Sequence, residues 1–288
     1  MAADITLIDN GKSDYVIVTP DKPDPARRVG QASDLLRAVL AKATSATLPA
    51  FTESKAPKDK PAIYLGMTEA ARKAGLPLDQ VKGWTFLKQV RGRDVFLVGV
   101  DDTAGIKGMD RYQYLGTLKA VTSFLEDEVG ARFLAPGPNG LYAPKLDRLT
   151  VRADLAVLRQ PVFAYVTGRQ TGDNAYNAAN NFLGNNIVKS YGGHSYYSSV
   201  PAGKYGKTHP EYFALIGGVR TPAHNHLCIS NPDVQKLMIE EMEKWLDMGF
   251  QWVELAQTDG YQPCECPKCA ALHPDIGERI WIVRRKLA

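Results

Sequence analysis

The sequence predicts an α/β protein in two parts. A mixed-sheet α/β accessory domain covers residues 1–155, and the first half of a TIM-type (β/α)8 barrel, about four β/α units, covers residues 161–288. Three observations lead there. Hydrophobic spacing through the first half of the chain switches repeatedly between the strand period of two and the helix period of 3.6. Beyond a linker at 158–161, "LRQP", short apolar runs end in polar, glycine-rich segments, as barrel strands do at the face that carries chemistry. Only 128 of the 288 residues follow Gln160, about half of the ~250 that a complete barrel takes. The chain is therefore expected to stop halfway round, with "IWIVRR" at 280–285 a helix cut in mid-course.

The elements follow in order. "ITLI" at 5–8 and "YVIV" at 15–18 read as strands. Ser33 reads as the N-cap of a helix with Leu35, Leu36, Val39 and Leu40 on one stripe. "AIYLG" at 62–66 is a buried strand, and Thr68 caps a short helix ending near Gly75. "FLKQV" and "DVFLVG" flank Arg91-Gly92-Arg93 as a hairpin. A helix over 110–129 aligns Tyr114, Leu118, Val121 and Leu125 and stops at Gly130, a suitable residue just past a helix end. "PGPNG" at 136–140 closes this part with a loop. After the linker, barrel strands are expected at 162–166, 187–191, 227–230 and 251–257, with an asparagine-rich stretch between the first two. Asn231 caps a helix with Pro232 at its first position, where the missing N–H is no loss. Val234, Leu237, Met238, Met242 and Trp245 form its apolar stripe, and Gly249 ends it.

Composition bounds the function classes. With 44% hydrophobic and 23% charged residues the chain buries a real core. The net charge of +4 comes from 35 basic and 31 acidic residues spread along the chain. Its one compact basic run, Arg284-Arg285-Lys286, reads as a solvated helix face rather than a nucleic-acid surface, which needs contiguous positive charge. No apolar run approaches the ~20 residues of a membrane span. Met1-Ala2-Ala3-Asp4 leads straight into a strand without a visible signal peptide.

Asp259, at the end of the fourth expected strand, is the candidate catalytic carboxylate; Asp-Gly is equally a strong turn signal. Gln257 shares its strand parity and is a candidate for a hydroxyl, whereas Glu254 has the opposite parity and lies deeper. His194 follows two glycines that let backbone approach a ligand, and its imidazole suits hydrogen bonding or proton transfer. Arg169 at the end of the first strand suits a carboxylate or an internal ion pair. His209 and the ring of Tyr196, with Tyr197 beside it, complete the candidate substrate contacts. His224 and His226 have metal-ligand spacing but no third ligand near in sequence. Cys264, Cys266 and Cys269 have zinc-knuckle spacing, with Cys228 or His273 available as a fourth ligand for a structural zinc. A disulfide, most simply Cys264–Cys269, and plain reduced thiols are the alternatives. None of these readings calls for a catalytic cofactor.

The stretch from Gly116 to Lys145, "GTLKAVTSFLEDEVGARFLAPGPNGLYAPK", resembles the non-catalytic N-terminal domain that precedes the barrels of β-hexosaminidases and α-glucuronidases. "GGHSYYSSVP", "HPEYFALIGGVR", "LCISNPDVQKL" and "TDGYQPCECPKC" together resemble the bacterial family of domain of unknown function 4838. That family includes glycoside hydrolase family 163, which cleaves complex N-glycans as an endo-β-N-acetylglucosaminidase. The resemblance implies a secreted or periplasmic enzyme acting on β-linked N-acetylglucosamine. In that chemistry the sugar's acetamido oxygen attacks the anomeric carbon, and Asp259 would orient and charge-stabilise the amide. A uronic-acid-releasing glycosidase, with Arg169 on the carboxylate, and a non-catalytic carbohydrate-binding protein are the alternatives.

Overall fold

The computed structural model describes residues 4–22, 26–102, 105, 114–160, 162, 171–182 and 193–288. The chain divides into two compact units, residues 1–104 with 110–186 and residues 105–109 with 187–288.

The first unit runs β1 (Ile5–Asp9), β2 (Val16–Thr19), α1 (Arg28–Thr44), β3 (Ala50–Thr52), β4 (Ala62–Leu65), α2 (Glu69–Lys73), β5 (Phe86–Arg91), β6 (Asp94–Gly99), α3 (Gly116–Phe124), β7 (Arg132–Phe133), β8 (Leu141–Tyr142), β9 (Arg148–Val151), β10 (Ala156–Arg159) and α4 (Asn174–Ala179). Its main sheet has the order β10-β5-β6-β4-β2-β3. β3, β2, β4 and β6 are parallel neighbours, while the β5–β6 hairpin and β10 are antiparallel, so the sheet is mixed as expected. β6 is apolar on both faces because both are covered. Val95 and Leu97 join the core with α1 and α3, and Phe96 and Val98 pack with Ala71 of α2 and with Leu76 and Val81. α4 belongs to this unit: Ala178 is in its core, and Lys119 of α3 donates to the Ala178 carbonyl at 2.5 Å.

Several boundaries differ from the sequence reading, each for a physical reason. α1 begins at Arg28, not after Ser33, because Val29 and Ala32 extend the buried stripe backwards; Ser33 is buried within the helix. α3 begins at Gly116 because the Asp101 carboxylate accepts from the Thr117 N–H at 3.0 Å, capping the helix there and leaving Tyr114 outside it. The helix runs on through a π-turn, Leu125–Val129, and ends at Gly130 with φ 81°, where the sequence placed its end. The stretch read as a linker holds Leu158 and Arg159, which pair with Leu87 and Phe86 as part of β10.

The second unit contains α5 (Tyr196–Ser199), α6 (Ala202–Tyr205), β11 (Leu215–Ile216), β12 (Val219–Arg220), α7 (Pro232–Asp247), α8 (Pro267–Ala270) and α9 (Ile276–Leu287). α7 starts as read: the Asn231 side chain accepts from the Asp233 N–H at 2.8 Å and Pro232 takes the first position. The expected barrel strands fare differently. Those at 162–166 and 187–191 lie outside the described residues, apart from Val162, which is exposed. Among the described residues, the one at 227–230 reduces to a single bridge between Phe213 and Leu227, and 253–257 show no strand pairing. No barrel is seen among the described residues. Nor, among them, is any helix long and apolar enough to cross a membrane.

Two predictions follow from the first unit's packing. A Cβ on Gly99 would lie 2.0 Å from the Gly116 carbonyl carbon, backbone that cannot swing aside. Gly99→Ala is therefore expected to cost on the order of 3 kcal/mol in urea unfolding. Gly172→Ala, whose Cβ would meet nothing within 4 Å, should stay within about 0.5 kcal/mol of the parent. Lys88 is buried on β5, its Nζ 2.6 Å from Asp127 and 3.6 Å from Glu128. Burial alone would raise the Asp127 carboxyl, but the hydrogen bond and charge of Lys88, with Arg159, outweigh it and hold the group below the usual carboxylate range. The stability from such a group is present above the unfolded-state value, about 3.9, and is lost as the pH falls through the lower folded value. Asp127→Asn should thus narrow the gap between urea stability at neutral and at acid pH.

Candidate active site

Four contacts lace the turn at 193–196 to the segment at 254–257. The Gly193 N–H donates to the Glu254 carboxylate, and His194 Nδ1 lies 3.1 Å from the Gln257 carbonyl oxygen. The Ala256 N–H donates to Ser195 Oγ at 2.8 Å, and the Tyr196 N–H donates to the Ala256 carbonyl at 3.1 Å. Because these segments lie side by side, residues 227–230 do not intervene between them as a third barrel strand would.

The lacing places the His194 imidazole against Asp259, with Nε2 3.3 Å from Oδ2. Asp259 is almost fully exposed at 96%, and Gly260 after it has φ 61°, so the Asp-Gly pair does form a turn. Turn and functional readings coexist: the turn presents the carboxylate. The proton positions follow from the partners. A backbone carbonyl only accepts, so Nδ1 carries the proton directed at Gln257. Nε2 then faces the Asp259 carboxylate oxygen. His194 and Asp259 therefore form a paired imidazole and carboxylate at the laced turn.

The other candidates are sorted by their surroundings. Tyr196 is buried at 1% exposure, edge-on to Tyr261, and desolvation pushes its hydroxyl up to about 12; it is core, not a platform for a sugar. The exposed ring is its neighbour Tyr197, which stands nearly perpendicular to the His194 ring with centroids 6.5 Å apart. One turn of α5 points the two tyrosines in opposite directions, which their adjacency in sequence hides. The Gln257 side chain accepts from the Arg284 guanidinium of α9 at 2.5 Å, so it ties down its own segment. His209 stacks on Tyr212 at 4.6 Å and contacts Glu211 at 3.0 Å; these partners explain it without a ligand. His226 is buried with Nδ1 3.4 Å from Thr258 Oγ1, and it forms no metal cluster among the described residues. Arg169 lies outside the described residues. Glu254, set aside on parity, is the residue that holds the Gly193 N–H, and so it positions the turn bearing His194.

The four cysteines come together. Cys228, Cys264, Cys266 and Cys269 are buried free thiols with all four sulfurs within 4.8 Å of one another. Cys228 Sγ is 3.7 Å from Cys266 Sγ and 3.8 Å from Cys269 Sγ, so the disulfide reading is set aside for these free thiols. Hydrogen bonds from Cys228 and Cys269 hold the Cys264 thiol well below the usual range, and the same cluster pushes Cys269 up. His273 is not part of the group; its Nδ1 accepts from the Asp275 N–H at 3.0 Å. The loop 264–266 docks on the β11–β12 hairpin, with the Glu265 N–H donating to the Leu215 carbonyl at 2.8 Å and the Leu215 N–H directed at Cys264 Sγ at 3.3 Å.

A search of curated proteins gave no match to the chain. Among solved structures it is similar to a novel family GH115 4-O-methyl-α-glucuronidase with specificity for decorated arabinogalactans, at 15% identity and a TM-score of 0.37. That similarity covers 56% of this chain and 19% of the other, so the chain spans about a fifth of that protein's length. The model of a family described as domain of unknown function (DUF4838) matches residues 135–283, just over half of the chain, and runs through the His194–Asp259 pair and all four cysteines. The chain belongs to the DUF4838 family.

Proposed function

We propose that this chain belongs to a glycoside hydrolase that cleaves β-linked N-acetylglucosamine in complex glycans, with Asp259 as its catalytic carboxylate. The observation that carries the proposal is the His194–Asp259 pair: an exposed carboxylate held against an imidazole by a laced backbone rather than by its own flexibility. The motifs that resemble family 163 glycoside hydrolases supply the substrate class.

The chemistry follows from the groups present. As the glycosidic C–O bond breaks, its electron pair leaves on the departing sugar's oxygen, which takes a proton from water, while the substrate's acetamido carbonyl oxygen attacks the anomeric carbon and positive charge spreads over the new ring. Oδ2 of Asp259 faces His194, which leaves Oδ1 to accept the amide N–H and to stabilise that charge. The contact with His194 fixes the carboxylate's orientation, so that its negative charge stands opposite the developing cation. Water then opens the ring and restores the acetamido group. Tyr197 offers an exposed ring face beside the pair for a neighbouring sugar.

The test is a digest of a glycoprotein bearing complex N-glycans by the gene product that carries this chain, with released glycans read by mass spectrometry. Release leaving one N-acetylglucosamine on the protein is expected, and Asp259→Asn should lower it by about 10²–10⁴-fold. Equal release by Asp259→Asn would keep the hydrolase and discard Asp259. Glycan binding without release by folded protein would replace the enzyme with a carbohydrate-binding protein. In the same assay Tyr197→Ala should raise KM several-fold with little change in kcat, and Tyr196→Phe should leave both unchanged.

A further inference from the structure

We propose that Cys228, Cys264, Cys266 and Cys269 form a closed tetrathiolate zinc centre that fastens the loop ahead of it, the loop that carries Asp259. Geometry is the first support. Zinc bound by four sulfurs at about 2.3 Å in a tetrahedron holds them about 3.8 Å apart. Cys228 Sγ lies 3.7 Å and 3.8 Å from the sulfurs of Cys266 and Cys269. One sulfur equally near two others suits a shared ion; a disulfide joins a single pair at about 2.05 Å.

Donor chemistry is the second support. An all-thiolate set selects zinc or iron over the hard cations that take oxygen ligands. Four protein ligands leave no open position for water or substrate, which is the mark of a structural rather than a catalytic site. These are all the cysteines the chain has, so none is left over to pair elsewhere.

The surroundings are the third support. Four thiolates and a zinc ion carry a net double negative charge, which a buried site must offset. Arg220 of β12 is close enough to the cluster to feel the charge of Cys228 and Cys264, and it donates to the Phe213 carbonyl at 2.5 Å. The Leu215 N–H reaches Cys264 at 3.3 Å, the Cys269 N–H reaches Cys266 at 3.5 Å, and Ser230 Oγ lies 3.0 Å from Cys269. Such N–H and O–H donors to ligand sulfur orient a thiolate site and lower its charge density. The ion would join two pieces of chain, the segment at Cys228 and the knuckle at 264–269 on which the β11–β12 hairpin docks.

The experiment is elemental analysis of the purified chain with thiol titration before and after chelation. Stoichiometric zinc, with the thiols unreactive until the metal is stripped, is the expected result. Stoichiometric iron, disulfides in the non-reduced protein, or freely reactive thiols with no bound metal would each overturn the assignment. Cys266→Ser should lose the zinc and Ser230→Ala should keep it. Should Cys266→Ser fail to fold, cobalt exchanged into the parent protein decides alone. The intense visible absorption of tetrahedral thiolate-bound cobalt supports the centre, and the weak spectrum of an oxygen-bound ion refutes it.

Discussion

The contacts between residues 193–196 and 254–257 are the constraint on which the second unit's arrangement depends. Among its described residues the only ladder is a hairpin with two residues in each strand, so regular sheet does not fix the relative places of its segments. That work falls to a carboxylate, a hydroxyl, an imidazole and two peptide groups, each satisfying a partner that would otherwise be left without a hydrogen bond. Removing one of them shifts a backbone segment as well as a side chain, because Glu254 and Ser195 bond to N–H groups. Asp259 follows the laced segment directly, and its placement is inherited from it.

The rest of the second unit is organised around sulfur as much as hydrocarbon. Its core joins Phe213, Leu227, Ile229, Val234 and Met238 with the three knuckle cysteines and Cys228. α7 and α9 contribute one buried stripe each, and their outer faces leave Leu246, Trp281 and Ile282 open. A unit of this size with a modest apolar core gains more from a covalent or coordinate link than a large domain does. The first unit is the contrast: its six-stranded sheet is covered on both faces and relies on packing alone, with one buried cation, Lys88, satisfied by two carboxylates and a carbonyl.

What could be read in the sequence was what is locally encoded. The β5–β6 hairpin, the Thr68 and Asn231 caps and the stop at Gly130 depend on residues within a few positions of one another, and all are found. β3, β9 and β10 escaped because each is three or four residues long and exists through a distant partner, as when Ile5 pairs with Val151. The His194–Asp259 pair and the four cysteines were nameable because strand-end acids, glycine-flanked histidines and knuckle spacing carry their chemistry in the residue types. The failures share one cause: which way a side chain points. Tyr196 and Tyr197 exchange roles on one helical turn, and the parity argument against Glu254 assumed a strand where the chain has none. Gln257 was read for its polarity, and a helix thirty residues on claims its side chain.

The backbone at the pair has its own consequence. Gly193 has φ 85° and His194 has φ 62°, two consecutive left-handed residues, and only the first is a glycine. For a residue with a Cβ that conformation costs roughly 1–2 kcal/mol. Glycine would make that bend more easily, but it would lack the ring that reaches both the Gln257 carbonyl and Asp259. The position accepts backbone strain in exchange for a side chain that laces its segment and meets the carboxylate.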